Sequence, residues 1–418
     1  MNETAEVEPV SRWQGRWESQ EPSEAPEPTG PGATGWTGLA LGIIALWGAA
    51  WIFLPPPTYF LLRFAVGAPE LCAWIGLIAL VGIVFALGSA AHSRTSQLAV
   101  VIGLIALGLA ESVFFRLSGT IHELDAQGGV MIREPGAPLR AAPVSALDLF
   151  RGIPVVEARI TRGLAFGARS SHPLTLDVYR PQKVGRFPVI VQIHGGSWQH
   201  GEPGDHSDFA EWLTNSGYVV FSIDYRRAPE TRWPGQLADV DSALAWINAH
   251  SNEYEADTTR IVLLGQSAGG HLALLAAYSK QRPGVRGVIS YYGPIDLAAA
   301  YRNPPRPDPI GVRDIEEAFI GGPPDKFPAE YADASPMSYA SADRARSLPP
   351  TLLIYGGRDN VVEAKYARLF AEKLNESGTS AAYLEIPWAE HGFDEVFSGV
   401  SSQLSLYYTE RFLAWAQR

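Results

Sequence analysis

Three apolar runs dominate the first third of the chain. Trp36 to Leu54 and Leu71 to Ala91 carry no charge, and Gln97 to about Phe115 carries only Glu111 near its end. Each approaches the ~20 residues that a helix needs to cross a bilayer. A helix also satisfies its own backbone polar groups in lipid. Trp36, Trp47, Trp51 and Trp74 lie in these runs, several near ends where indole rings favour the interface. Three such runs in succession predict a transmembrane region over residues 36–116, with spans at about 36–54, 71–91 and 97–115, rather than buried helices of a soluble core. Residues 1–35, with seven acids, two arginines and no apolar period, read as a disordered Pro-rich tail. A long acidic lead followed by further apolar runs also argues against a cleaved signal peptide.

Three spans place the tail and the loop at Arg94 on one side, and the loop at Arg63 and the C-terminal region on the other. Arg12, Arg16 and Arg94 then oppose Arg63, Arg116 and Arg133, a tie under the positive-inside rule. The expectation is a multi-pass protein of the plasma membrane, with the side of the C-terminal region undecided.

Residues 117–153 read as a linker, broken by Gly128-Gly129, Pro135, Pro138 and Pro143. From 154 to 418 the pattern becomes short Val/Ile-rich runs alternating with helical stretches. The runs are 188–194, 218–225, 260–265, 284–292, 351–356 and 381–387; the helical stretches are 234–250, 268–280, 363–377 and 403–416. That alternation predicts an α/β domain with a mainly parallel sheet covered by helices on both faces. A Pro-rich insertion over 295–349 is expected to cap the pocket, together with the segment after the third span.

Composition narrows the function. Only 18% of the residues are charged, below the roughly 25% of an average soluble protein. The formal net charge of −11 leaves no basic surface for nucleic acid. A single cysteine, Cys72, excludes an internal disulfide and a Cys-based zinc cluster.

Gly265-Gln266-Ser267-Ala268-Gly269 fits G-x-S-x-G. About 0.3 matches are expected by chance in a chain of this length and composition, so position decides. The motif joins the strand RIVLLG to the helix AGGHLALLAAY, which puts Ser267 on a sharp strand-to-helix turn with its hydroxyl exposed. A serine needs a base to take its proton, and His391, after the last strand, suits that role. The imidazole needs a carboxylate to hold its tautomer, and Asp359 follows the strand TLLIYG. His194-Gly195-Gly196-Ser197-Trp198 follows the strand PVIVQIH. There the N–H groups of Gly196 and Ser197, joined by that of Ala268, are candidates for an oxyanion hole, with His194 and Gly195 in support. His200, Asp205, His206 and Asp208 cluster closely enough to suggest a metal site, but their spacing fits no helical ligand pair. Asp205 or Ser207 as a helix N-cap is the expected account, and no metal or cofactor is assigned.

HGGSW, DYRRAPE (224–230), GQSAGGHLA (265–273), GGRD (356–359) and EHGFD (390–394) together resemble hormone-sensitive-lipase-type and feruloyl/acetyl-esterase-like α/β-hydrolases over roughly residues 155–418. The resemblance implies an eight-stranded sheet and a carboxylesterase for short-chain or modest-sized esters, and the apolar runs that precede it add the expectation of a membrane anchor. By the same resemblance Ser267, Asp359 and His391 match the triad, and Gly196, Ser197 and Ala268 the oxyanion hole. Two departures stand out: the third glycine of HGGG is Ser197, and GDSAGG reads GQSAGG, closer to the polysaccharide-esterase-like branch. Asp224, Tyr225 and Arg226 are expected to brace the adjoining loop. The expected partners are a small-molecule ester and the bilayer, with no nucleic acid. A peptidase, amidase or formamidase would use the same triad, and a catalytically silent binding module would share the fold.

Overall fold

The computed structural model describes residues 32–90, 93–133, 140–167, 173–341, 343 and 348–418. The tail expected over residues 1–35 lies, up to residue 31, outside the described residues. The first helix, α1 (Ala33–Ala50), starts just beyond it.

α1 packs with α3 (Cys72–Leu87) and α4 (Arg94–Gly128) as a three-helix bundle. Small residues let the backbones approach: a Cβ placed on Gly38 would stand 2.7 Å from the carbonyl oxygen of Gly82. Among the described residues, two helices are long and apolar enough to cross a membrane, α1 and α4. The number is three if α2 (Tyr59–Glu70) and α3, bent by 80°, count as one span.

Two local features differ from the sequence expectation. Residues 59–70, read there as a loop around Arg63, form α2, whose first turn is capped by Thr58 accepting from the Leu61 N–H at 3.4 Å. The expected linker begins as helix, because α4 runs unbroken to Gly128. From Val113 in the third apolar run, Thr120, Leu124 and Gly128 continue the helical spacing and are buried. Tyr408 donates to the Ile121 carbonyl at 3.3 Å and to Asp125 at 3.0 Å, which fastens the end of α4 to the C-terminal helix. The break falls at Gly129, where φ is +54°.

The C-terminal region is built on one eight-stranded sheet in the order β1-β2-β4-β3-β5-β6-β7-β8. Its strands are β1 (Arg159–Gly167), β2 (Leu174–Arg180), β3 (Phe187–Ile193), β4 (Val219–Ile223), β5 (Ala256–Gln266), β6 (Val285–Tyr291), β7 (Thr351–Gly356) and β8 (Ala381–Ile386). β2 pairs antiparallel with both β1 and β4, and the remaining pairs are parallel. All residues of β4 and β7 are buried, as expected of parallel strands covered on both faces. The covering helices include α5 (Ser207–Asn215), α6 (Gly235–Ala249), α7 (Ala268–Tyr278), α8 (Ala364–Glu376) and α9 (Val400–Ala416). The parallel strands bring the ends of β3, β5 and β7, and the turns after them, to one edge, where ligands of open α/β sheets bind.

Candidate active site

β5 runs straight into α7 at Ser267, whose φ of +51° and ψ of −121° are strained for a residue with a side chain. The strain aims Oγ away from the backbone at the strand end. Gly269 makes the turn possible, since a Cβ there would stand 1.9 Å from the Ile193 carbonyl oxygen.

His391 Nε2 lies 2.9 Å from Ser267 Oγ, and His391 Nδ1 lies 2.9 Å from Asp359 Oδ2. The side chain of Asp359 is wholly buried. Its other oxygen, Oδ1, accepts from the N–H groups of Val361 at 2.8 Å and Val362 at 2.7 Å. Both oxygens are thereby oriented, and one is left for the imidazole. Nδ1 then carries the proton and Nε2 accepts from the serine. Burial opposes a charge on His391, but the carboxylates of Asp359, Glu390 and Asp394 outweigh it and raise the pKa above the ordinary 6.5.

Glu390 lies behind this pair. It accepts from the Asn360 N–H at 2.6 Å, the His391 N–H at 3.0 Å and the Asn360 amide at 2.6 Å. Burial, reinforced by the charge of Asp359, pushes its pKa up to about 7. Tyr292 donates to Asp394, and its ring centroid lies 4.6 Å from that of His391, covering the imidazole.

The loop after β3 passes close to Ser267. Gly196, Ser197 and Trp198 have φ of +106°, +55° and +59°. The loop's own turn is closed by Gln199 and His200 donating to the Gly196 carbonyl, both at 2.9 Å, so the N–H groups of Gly196 and Ser197 are not used there. His194 stacks on Tyr225 at 4.3 Å and approaches Asp224 at 3.3 Å. Tyr225 donates to the carbonyls of His194 at 3.2 Å and Gly195 at 3.0 Å. Arg226 is held by Asp239 through its backbone N–H at 2.9 Å and its guanidinium at 2.8 Å. DYRRAPE therefore braces the glycine loop. Trp198 donates to His271 Nδ1 at 3.2 Å, while His271 Nε2 meets the Ala334 carbonyl at 2.7 Å. Burial lowers the His271 pKa to about 4, so the ring stays neutral and serves both bonds.

Two cavities meet at Ser267. One is mainly apolar, with Ile295, Pro305, Val312, Ile315 and Tyr366 in its wall. Much of that wall comes from the 295–349 insertion, as expected. The buried Glu316 also lines it, with one carboxyl oxygen lacking a partner. The other cavity is open and more polar, and it is lined by His391, His200, His206 and Glu395. Its second contributor is not the segment after the third span but α2, through Tyr59 and Leu62.

The His/Asp cluster forms no metal-holding arrangement; among the described residues no such group of three exists. The expected N-cap is also displaced. His206, in left-handed conformation, occupies the cap position of α5 without a side-chain bond, while Asp205 accepts from the Glu202 N–H at 3.0 Å. His206 faces Asp394 at 4.0 Å and Glu395 at 3.9 Å.

Comparisons with known proteins agree with this architecture. The BD-FAE family profile matches residues 176–374. Probable carboxylic ester hydrolase LipM of Mycobacterium tuberculosis is 32% identical over 262 residues, covering 59% of this chain and 58% of the relative. Esterase LipC of the same organism is 34% identical over 236 residues, covering 52% and 57%. The chain thus spans little more than half the length of these relatives. Among solved structures, a bacterial heroin esterase matches with a TM-score of 0.55 at 24% identity, covering 63% of this chain and 84% of that one. A Pyrobaculum calidifontis esterase matches with a TM-score of 0.53 at 24% identity, covering 62% and 85%. These structures share the fold.

Proposed function

We propose that the chain is an α/β-hydrolase and a membrane-anchored serine carboxylesterase working through an acyl-enzyme, a reading supported by its fold and its similarity to carboxylic ester hydrolases. The observation that carries this reading is the continuous relay from Ser267 Oγ through His391 to Asp359, each step 2.9 Å long. Ser267 attacks the ester carbonyl as His391 Nε2 takes its proton, and Asp359 stabilises the imidazolium that forms. Negative charge on the carbonyl oxygen is received by the N–H groups of Gly196, Ser197 and Ala268, a donor set in which each member is typically worth about 3 kcal/mol. His391 then protonates the leaving alcohol. Water, activated by the same imidazole, attacks the acyl carbon and releases the acid and Ser267. In this reading residues 154–418 form the catalytic domain, and α1, α3 and α4 form the anchor.

The test is hydrolysis of p-nitrophenyl butyrate by the purified full chain. Ser267→Ala removes this activity, and with it labelling by a fluorophosphonate, while the fold is kept. Full activity in the alanine variant would overturn the assignment. A permeant and an impermeant fluorophosphonate used on intact cells report which side of the membrane carries Ser267.

A further inference from the structure

One wall of the open cleft belongs to the N-terminal helices. Tyr59 and Leu62 of α2 line it beside Ser267 and His391. Leu62 and Val66 pack against Val361, with Ile310 and Val362 around them. Val361 and Val362 are the residues whose N–H groups hold Asp359, so α2 rests on the turn that carries the acid. Arg358, next to Asp359, donates to the Phe53 carbonyl at 2.5 Å, just before α2. Ile310 and Val361 line both cavities, so the apolar pocket opens into the cleft beside α2.

α2 makes an angle of 80° with α3. With α3 along the bilayer normal, α2 lies nearly parallel to the membrane surface. Its outer face suits that position, since Phe60 is 60% exposed and lines neither cavity. Arg63 sits 5.2 Å over the Phe60 ring, and Trp47 and Phe64 meet edge to face nearby at 4.7 Å. Exposed Leu147 and Phe150 extend the apolar rim, with Phe150 5.0 Å from Trp74 at the start of α3.

We propose that substrate reaches Ser267 from the bilayer surface. α2 lies in the interface, its outer face in lipid and its inner face forming a wall of the access path. The substrate is then a bilayer-partitioned ester whose apolar chain enters the pocket between Ile295 and Tyr366. This rests on the reading of Ser267 as the nucleophile of a membrane-anchored esterase.

The test uses the full chain in phosphatidylcholine vesicles with two esters. p-Nitrophenyl butyrate arrives from water. p-Nitrophenyl laurate, with eight more methylenes at about fourfold each in partition, favours the bilayer over butyrate by a factor on the order of 10⁵. The double variant Leu54→Asp/Phe60→Asp changes exposed positions that line neither cavity. Laurate hydrolysis falls about tenfold and butyrate hydrolysis stays within about twofold. Equal losses on both esters, or no loss on laurate, overturn the proposal. Butyrate hydrolysis that survives Ser267→Ala would instead sink the underlying nucleophile assignment. A nitroxide on Phe60→Cys gives a readout independent of catalysis, since the native Cys72 is wholly buried. The label collides with dissolved oxygen more than with a water-soluble nickel chelate; the reverse order overturns the interfacial position of α2.

Discussion

Replacing Asp359 by asparagine tests the proposed relay at its most constrained atom. Oδ1 of Asp359 accepts two backbone N–H bonds, from Val361 at 2.8 Å and Val362 at 2.7 Å. Only an oxygen can accept them, so the asparagine carbonyl must occupy that place. Its NH₂ group then stands where Oδ2 was, 2.9 Å from His391 Nδ1. An NH₂ group donates, so Nδ1 must become the acceptor and the ring proton must move to Nε2. In that tautomer Nε2 cannot take the proton of Ser267. The expected loss in kcat is on the order of 10⁴-fold, about 5 kcal/mol of transition-state stabilisation. Glu390 does not rescue it, since both its oxygens are bonded to Asn360 and the His391 N–H.

The pH profile adds a second readout. Protonated His391 is inactive as a base, so activity falls as pH drops through its pKa. The charge of Asp359 helps raise that pKa, and the neutral amide removes the contribution. The acid limb of the residual activity therefore shifts to lower pH. The assay is p-nitrophenyl butyrate hydrolysis between about pH 5 and 9, with thermal unfolding as a folding control. A loss under tenfold, or an acid limb that stays in place, would refute the tautomer argument.

Two further predictions concern stability. Gly269→Ala forces a Cβ toward the Ile193 carbonyl, only 1.9 Å away, and should cost more than about 3 kcal/mol, lowering Tm by roughly 8 °C; an unchanged Tm would show that the elbow has room to relax. Glu316 is buried, and desolvation, with Asp296 adding, raises its pKa well above 4.5. The folded state therefore keeps a proton that the unfolded chain loses first. The stability this gives is complete below about pH 4.5 and is lost as pH climbs toward the folded pKa, by up to about 1.4 kcal/mol per pH unit. Glu316→Gln should flatten Tm against pH between about pH 5 and 8, and parallel curves for the two proteins would contradict this.

The strand-end positions of Ser267, Asp359 and His391 were legible because each lies where a short apolar run meets a polar or glycine-rich turn, a local pattern. The missed elements had weaker local signals. β1 and β2 escaped because β1 at the sheet edge mixes half-buried and exposed residues. Residues 117–128 looked like linker because of glycines, although 113, 120, 124 and 128 keep helical spacing. α2, read as the loop around Arg63, was hidden between two apolar runs, because its 12 residues, with Arg63, are too few for a span.

The sequence alone therefore determined the α/β alternation, the apolar helices and the order of the three relay residues, because period and turn chemistry act over a few residues. The tertiary structure decided what surrounds them. Glu390 held by Asn360, Trp198 tied to His271, and α2 standing over the turn that holds Asp359 all depend on segments far apart in the chain. Such contacts follow from how packed layers bring distant surfaces together, and no local pattern encodes them.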